Sequence, residues 1–496
     1  PAADGNGMQF DRSTKTVKVT VTDDHTGSLK AEVTYPNGEV AFANKYATSS
    51  TYNGIQVEKT LTGRDMKAGD FHFVIEGKND ASKELLADTD SDKEFTNPNN
   101  RAEGIADVMT KIAGHTFTQA DSGKHFEFTV KEVIPNGEVQ DQAKGLYYDE
   151  AAHDVTIDVA DNGKGQLDVT TKVDGQETNV VSFENKYRAQ NVSFDTATAQ
   201  LNKILQGRDW IENDSFDFTI TARDGAPMPK RDGNEASSAT VKSPNSKDGD
   251  SVSFDFGQIE FTSDMVKDAP GHKRTFTYEV TENAGDLPGI QYSDNKAVIE
   301  VTVSDNGQGK LVASATTQNG TFVNRYSAEL NYTAAGGLNL AKTLTGRDMT
   351  DGQFTIKITT DDEASAGLLG LPEGGREVPM PAAEDGAQVM KSALTGDVVL
   401  TQRDAGKTYS YKVVEQGTAP SGYTYDTAER TVTITVEGDP ANGTLKATTV
   451  VSVPGDPEHS KTYVYSSNAA TPQETAVVPF NNSYAASGEV GITATK

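Results

Sequence analysis

The chain has no cysteine, a single tryptophan among 496 residues, and only 45 lysines and arginines against 73 aspartates and glutamates. Without cysteine there is no disulfide, no thiol nucleophile and no thiolate-held zinc. An extracellular chain of this kind needs some other way to resist unfolding. The formal charge of −28 disfavours nucleic acid as a partner, because phosphate binding requires basic patches. It suits a soluble surface that repels its own kind. No apolar run approaches the roughly 20 residues of a membrane span, so no membrane insertion is expected of this segment. The seven histidines do not cluster in sequence, and neither metal nor other cofactor is expected. No signal peptide is present and the first residue is Pro1, which reads as an excised piece of a longer chain.

What is plentiful is Gly, Asp, Asn, Thr and Val, the balance of many short strands joined by turns. The length suits roughly three or four domains at about 100–200 residues each. A pentapeptide, Phe-x-Asn-x-Tyr, occurs as Phe42–Tyr46, Phe183–Tyr187, Phe322–Tyr326 and Phe480–Tyr484. As a strand it turns Phe, Asn and Tyr to one face, and the same parity adds Val40, Val181 and Val478. An amide in an apolar stripe costs free energy unless it finds a partner.

Two further strands recur. One carries lysine: Ile55, Val57, Lys59, Leu61; then Ala199, Leu201, Lys203, Leu205; then Leu338, Leu340, Lys342, Leu344; then Val490, Ile492, Ala494, Lys496. The other ends in glutamate: Phe126, Phe128, Val130, Glu132; then Phe276, Tyr278, Val280, Glu282; then Tyr409, Tyr411, Val413, Glu415. Parity puts each charged residue on the apolar face, where lysine and glutamate are rarely buried unless paired.

The lysines are spaced by 203 − 59 = 144, 342 − 203 = 139 and 496 − 342 = 154 residues, and the asparagines by 185 − 44 = 141, 324 − 185 = 139 and 482 − 324 = 158. A period this long means whole domains rather than solenoid repeats. The expected segments are 1–46, the tail of a truncated repeat; the complete repeats 47–187, 188–326 and 327–484; and 485–496, the first strand of a further repeat. Gly7-Met8-Gln9-Phe10-Asp11 matches Gly145-Leu146-Tyr147-Tyr148-Asp149. The fragment 1–46 lacks its lysine and glutamate strands and is expected to expose strand edges. Links of a few residues, as from Tyr187 to Val192, imply a stiff string.

Some elements stay open. Ile105, Val108, Met109 and Ile112 have helical spacing, but the matching stretch Val252–Phe256 alternates as a strand. Asp161-Asn162-Gly163 and Asp305-Asn306-Gly307 are expected hairpin turns. Gly-Arg-Asp after each lysine strand reads as a turn with a solvated or ion-paired arginine. Asp88, Asp90 and Asp92 have a calcium-like spacing. However, Lys93 and Asn99 replace the glycine and glutamate that such a loop needs, so a solvated acidic loop is expected.

The three inward groups permit one reaction. Burial disfavours the charged form of lysine and of glutamate alike. A neutral lysine amine is a nucleophile and a protonated glutamate can give or take a proton. The amine attacks the asparagine carboxamide, ammonia leaves, and a Lys–Asn isopeptide bond remains, with no cofactor. A buried Lys–Glu ion pair with a hydrogen-bonded asparagine would also account for the pattern.

The ordered motifs resemble the isopeptide-linkage domains of Gram-positive pilins and cell-wall-anchored adhesins. They are Lys59-Thr60-Leu61-Thr62-Gly63-Arg64 and Lys342-Thr343-Leu344-Thr345-Gly346-Arg347; Tyr411-Lys412-Val413-Val414-Glu415 with Ala419-Pro420-Ser421-Gly422-Tyr423; and Phe-x-Asn-x-Tyr. The resemblance implies an all-β fold of tandem, elongated immunoglobulin-like β-sandwiches on the extracellular cell surface, anchored to the wall through another region. It implies bonds Lys59–Asn185, Lys203–Asn324 and Lys342–Asn482, with Glu132, Glu282 and Glu415 as catalytic groups. Asn44 and Lys496 are then left unpaired by truncation. The second repeat departs from the pattern: it reads Lys203-Ile204-Leu205-Gln206-Gly207-Arg208 and lacks Ala-Pro-x-Gly-Tyr after Glu282. Neither a Tyr-Pro-Lys polymerisation signature nor an LPxTG sorting signal is present.

The function expected is a structural stalk whose partners are the neighbouring repeats of the same long chain. The alternative is an adhesin module that binds a host protein or glycan through the excursions 77–101, 222–249 and 361–386. A hydrolase acting on an external substrate is disfavoured, because the candidate groups face the cores.

Overall fold

Alternating apolar residues place strands almost throughout, and a computed structural model of the chain, describing residues 3–89, 93–458, 460–469 and 473–493, is built from them. Packing groups the chain into two units. One is Pro1–Ser193 with Glu260–Thr275 and Thr302–Ser314, and the other is Phe194–Ile259 with Phe276–Val301 and Ala315–Lys496.

In the first unit two sheets face each other. One runs Gln140–Asp141, Leu146–Tyr147, Val180–Tyr187, Ile55–Thr62, Asp107–Lys111. The other runs Gln176–Glu177, Leu167–Val173, Ala152–Asp161, His125–Glu132, His72–Gly77, Glu94–Thr96. Burial alternates strictly along Ile55–Thr62 and His125–Glu132, as a strand with one face in the core requires. The two inner faces meet where the Phe73 and Phe183 rings lie 5.3 Å apart. The lysine and asparagine strands are parallel neighbours, with Lys59 opposite Phe183 and Leu61 opposite Asn185. Parallel strands need a long crossover, and here the whole of the facing sheet lies between them in sequence.

The stretch with two readings is a strand, Asp107–Lys111, paired antiparallel with Ile55–Thr62. Helical spacing does not decide because Ile105 and Val108 stay exposed while Met109 and Ile112 are buried. The excursion after His72–Gly77 contains an unforeseen helix, Asp80–Asp88, capped by Asn79 and seated through Leu85 and Leu86. Asp88 ends that helix; Asp90 and Asp92 lie outside the described residues.

Residues 3–46 differ from the complete repeats. Their strands are Met8–Gln9, Lys18–Asp23, Leu29–Thr34 and Lys45–Tyr46, and Val19, Leu29, Val40 and Phe42 are exposed. Only the last two residues of this copy of the pentapeptide form a strand. Those two residues pair antiparallel with Met8–Gln9, and among the described residues no lysine strand stands on the other side.

In the second unit the same pairing recurs twice. Leu201–Gln206 lies parallel to Thr321–Tyr326, with Ser251–Phe254 on its other edge. Leu338–Thr345 lies parallel to Ala476–Tyr484, with Gln388–Ser392 on its other edge. The glutamate strands Lys273–Asn283 and Thr408–Glu415 lie in other sheets, opposite Phe216–Ala222 and Thr355–Thr359. Ala199, expected in a strand, closes the short 3-10 turn Thr196–Ala199, because Gln200 takes a left-handed conformation before the strand starts. Residues 485–493 form no strand, and Val490 and Ile492 are exposed. A lone edge finds no ladder partner there. Lys496 lies outside the described residues. Among the described residues no helix is long and apolar enough to cross a membrane.

Candidate isopeptide sites

Each lysine enters from the first of two parallel strands, each asparagine from the last, and each glutamate from the facing sheet. Sequence parity dictates this: the three strands turn their apolar stripes toward the same core, and the polar residue on each stripe goes with it. Lys59, Lys203 and Lys342 are fully buried, as are Asn185 and Asn324, with Asn482 nearly so.

The three constellations share one geometry. Lys59 Nζ donates to Glu132 Oε2 at 2.9 Å, and Asn185 Nδ2 donates to Glu132 Oε1 at 2.7 Å. Lys203 and Asn324 meet Glu282 at 2.8 and 2.6 Å. Lys342 and Asn482 meet Glu415 at 3.0 and 2.8 Å. One carboxyl therefore bridges amine and carboxamide in every complete repeat, including the second, whose motifs depart furthest. Aromatic rings close each site to water. The amines lie 4.7, 4.6 and 4.6 Å from the ring centres of Phe71, Phe216 and Phe354. Tyr148, Tyr292 and Tyr425 pack edge-on to those same rings.

Desolvation dominates the ionisation of these groups. It lowers Lys59, and it brings Lys203 and Lys342 down to about 8 despite the opposing pull of the glutamates. It raises Glu132, Glu282 and Glu415, with the paired lysines pulling back. Both shifts favour the neutral pair, an amine beside a carboxylic acid.

Asn44 is not part of such a site. It is exposed, and its Oδ1 accepts from the Asp11 amide at 3.0 Å. Among the described residues no cluster of side chains is suited to a metal ion.

The Gly-Arg-Asp turns of the first two repeats take the ion-paired form. Arg64 pairs with Asp70 at 2.9 Å and lies 5.3 Å from the ring centre of Tyr187. Arg208 pairs with Asp214 at 2.7 Å and lies 4.9 Å from the ring centre of Tyr326. In the third repeat Arg347 stacks on Tyr484 at 5.1 Å. The arginine thus steadies the tyrosine two residues beyond each asparagine.

One group escaped the sequence reading. The side-chain oxygens of Asn185, Asn324 and Asn482 each accept a backbone N–H at 2.8 Å, from Asp149, Ser293 and Asp426. The signal was available: Gly145–Asp149 matches Gly7–Asp11 in sequence. It marked a repeat boundary and nothing more, because a backbone donor leaves no residue type to recognise.

The segments 2–47, 55–188, 199–327 and 338–485 each match the FctA family, described as Spy0128-like isopeptide containing domain. No curated protein matches the chain. Among solved structures, the major pilin protein T-13 of Streptococcus pyogenes is 17% identical over 56% of this chain and 98% of its own, with a TM-score of 0.23. BcpA, the major pilin subunit of Bacillus cereus, is 11% identical over 88% and 100%, with a TM-score of 0.13. The Bacillus anthracis TIE protein is 11% identical over 95% and 58%, with a TM-score of 0.16. Matched in four successive segments that take up most of its length, this chain belongs to the FctA family of Spy0128-like isopeptide-containing domains.

Proposed function

We propose that the chain is a stalk segment of a Gram-positive pilin or adhesin, in which every complete repeat welds its first strand to its last. The observation that carries this is the bridging carboxyl, between amine and carboxamide, in all three repeats. The segments 47–187, 188–326 and 327–484 are the complete repeats, joined by Lys59–Asn185, Lys203–Asn324 and Lys342–Asn482. Segments 1–46 and 485–496 belong to flanking repeats, to which Asn44 and Lys496 contribute.

The reaction balances without a cofactor. Glu132 takes a proton from the Lys59 ammonium. The free amine adds to Asn185 Cγ, forming the N–C bond and moving the carbonyl electron pair onto Oδ1. The pair returns, the bond from Cγ to Nδ2 breaks, and ammonia leaves with a proton delivered through Glu132. One proton remains on the carboxyl or departs with ammonia as ammonium. The strands hold the reactants together before any chemistry, and such preorganisation is worth a large effective molarity.

The protein is structural, and its reactive groups act once, on the chain itself. The bonded strands are parallel neighbours, so tension on the two ends would shear one past the other. An amide between them carries that tension around the intervening 185 − 59 = 126 residues. The setting is the cell surface, the partners are adjoining repeats, and wall attachment belongs to another part of the protein.

Intact mass spectrometry tests the reading. The chain is expected to weigh less than its sequence by one ammonia for each of the three sites. The full sequence mass would overturn the proposal.

A further inference from the structure

We propose that the backbone N–H groups of Asp149, Ser293 and Asp426 are catalytic: each is the hydrogen-bond donor that stabilises the oxyanion formed on the adjacent asparagine. The inference rests on the covalent reading above and adds a group to it. In each repeat the carboxamide has two ends. Nδ2, the leaving end, faces the glutamate; Oδ1, where negative charge develops, faces the backbone N–H at 2.8 Å. The opposite amide orientation would set Nδ2 against the backbone N–H, donor facing donor, and it is this N–H that selects the orientation seen.

Three features separate this donor from an incidental contact. First, the side chain varies, as Asp149, Ser293 and Asp426, while the N–H and its distance do not. Second, the donor is built by the fold rather than drawn in by the lysine. Among the described residues no lysine or glutamate side chain hydrogen-bonds Asn44, yet it accepts from the Asp11 N–H at 3.0 Å. Third, in the first and third repeats the donor is fixed from both sides. Asp149 Oδ2 accepts from the Glu184 N–H at 3.0 Å, and Asp426 Oδ2 accepts from the Asn481 N–H at 3.1 Å. Each aspartate therefore grips the asparagine strand one residue before the reacting group. A donor that is preoriented in a site closed by aromatic rings needs no reorganisation when charge appears. Removing one such donor elsewhere costs on the order of 100-fold or more in rate.

Glutamate alone does not supply this. Its two oxygens are committed to the amine and to the carboxamide nitrogen, and its work is proton transfer. The backbone N–H is the group that meets the carbonyl oxygen.

The test follows the mass of freshly made full-length chain at intervals after cell-free synthesis. At position 149 a suppressor tRNA inserts the α-hydroxy analogue of aspartate, which replaces the N–H by an ester oxygen. Peptide mapping assigns each ammonia to its repeat, and the other two sites of the same chain are internal controls. The expected result is that Lys59–Asn185 forms at least on the order of 100-fold more slowly than in the unmodified chain, while the other two bonds form on time. Asp149→Ala keeps the N–H but loses the grip on the Glu184 N–H, and is expected to slow the bond clearly less than the ester does. Asp149→Pro, which also lacks the N–H, should share the slow rate. Far-ultraviolet dichroism matching that of Glu132→Ala shows that the slow chains are folded. An ester chain that forms the bond at the normal rate overturns the proposal, as does Asp149→Ala slowing as much as the ester. If the unmodified chain lost no ammonia at all, the covalent reading itself would fail, a separate result.

Discussion

Tyr187 Oη donates to Asp305 Oδ1 at 2.7 Å and accepts from the Gly309 N–H at 2.9 Å. The tyrosine that closes one pentapeptide thus grips the hairpin turn that begins at Asp305, within the first packing unit. Tyr46 Oη meets Asp161 at 2.8 Å in the same way. Beside each bond two glycines touch. A Cβ on Gly309 would lie 2.6 Å from Gly145 N, and one on Gly165 would lie 2.2 Å from Gly7 N.

Tyr187→Phe should therefore loosen this joint without touching the chemistry of the site. The Gly309 N–H loses its acceptor, and a hydrogen bond of this kind contributes about 1 kcal/mol. Amide exchange at Gly309 is expected to quicken, while the ammonia deficit relative to the variant's own sequence stays that of the parent. An unchanged exchange rate would mean that the hydroxyl is not what protects this amide.

The lysine, glutamate and asparagine were legible because each breaks an apolar stripe, and a stripe is a local pattern. Their convergence followed from parity alone. Tyr187 was legible as a core residue but not as a joint, because Asp305 lies 118 residues away and Asp-Asn-Gly is already explained as a turn. The 105–112 stretch could not be decided from spacing, since its fate as the strand Asp107–Lys111 depends on the free edge of Ile55–Thr62. Asp149 was invisible for another reason, as its N–H belongs to every residue type but proline.

Glu132→Ala, Glu282→Ala and Glu415→Ala should each restore one ammonia to the mass, in the repeat that carries the change. Loss of the bond also frees a long loop in the unfolded chain. By analogy with a disulfide closing about 100 residues, the repeat should lose roughly 4–5 kcal/mol of stability. Calorimetry resolves this as a lowered transition for one repeat. Equal melting of Glu132→Ala and parent, despite the added ammonia, would remove the mechanical argument.

An unbonded second repeat should reveal its lysine by its response to pH. In Asn324→Ala the Lys203 amine stays free and buried, held down to about 8 from an ordinary 10.5. A lysine lowered in the folded state binds fewer protons there than when unfolded. Stability should therefore rise as pH rises from about 8 towards 10.5 and be at its lowest, for this group, below that window. Glu282 is raised by the same burial and has the opposite slope, beginning near 4.5. The sole tryptophan, Trp210, is buried against Phe216, which covers Lys203, so its fluorescence reports this repeat. Denaturant titrations at pH 8 and 10 should separate for Asn324→Ala and not for the parent, whose amine has become an amide. Equal midpoints for the variant would contradict the assigned lysine.

Gly63 sets how closely the first strand can approach the end of the last. Its φ is +98°, and a Cβ there would lie 2.1 Å from the carbonyl oxygen of Tyr187. Gly207 and Gly346 repeat this against Tyr326 and Tyr484, at 2.4 and 2.1 Å with φ of +99° at both. The obstacle is backbone, so no side-chain rotation relieves it. Gly63→Ala must move the Tyr187 backbone, and Asn185 lies two residues upstream. The expected outcome is a loss of at least about 1–3 kcal/mol, accompanied by retained ammonia in a fraction of the chains. Gly69→Ala separates the two causes. Its φ is +80° but nothing lies within 4 Å of the added carbon, so it has backbone strain without the collision. Thermal melts and intact masses of both variants decide the matter. If Gly63→Ala melted with Gly69→Ala and welded completely, the close approach would have no part in aligning the strands.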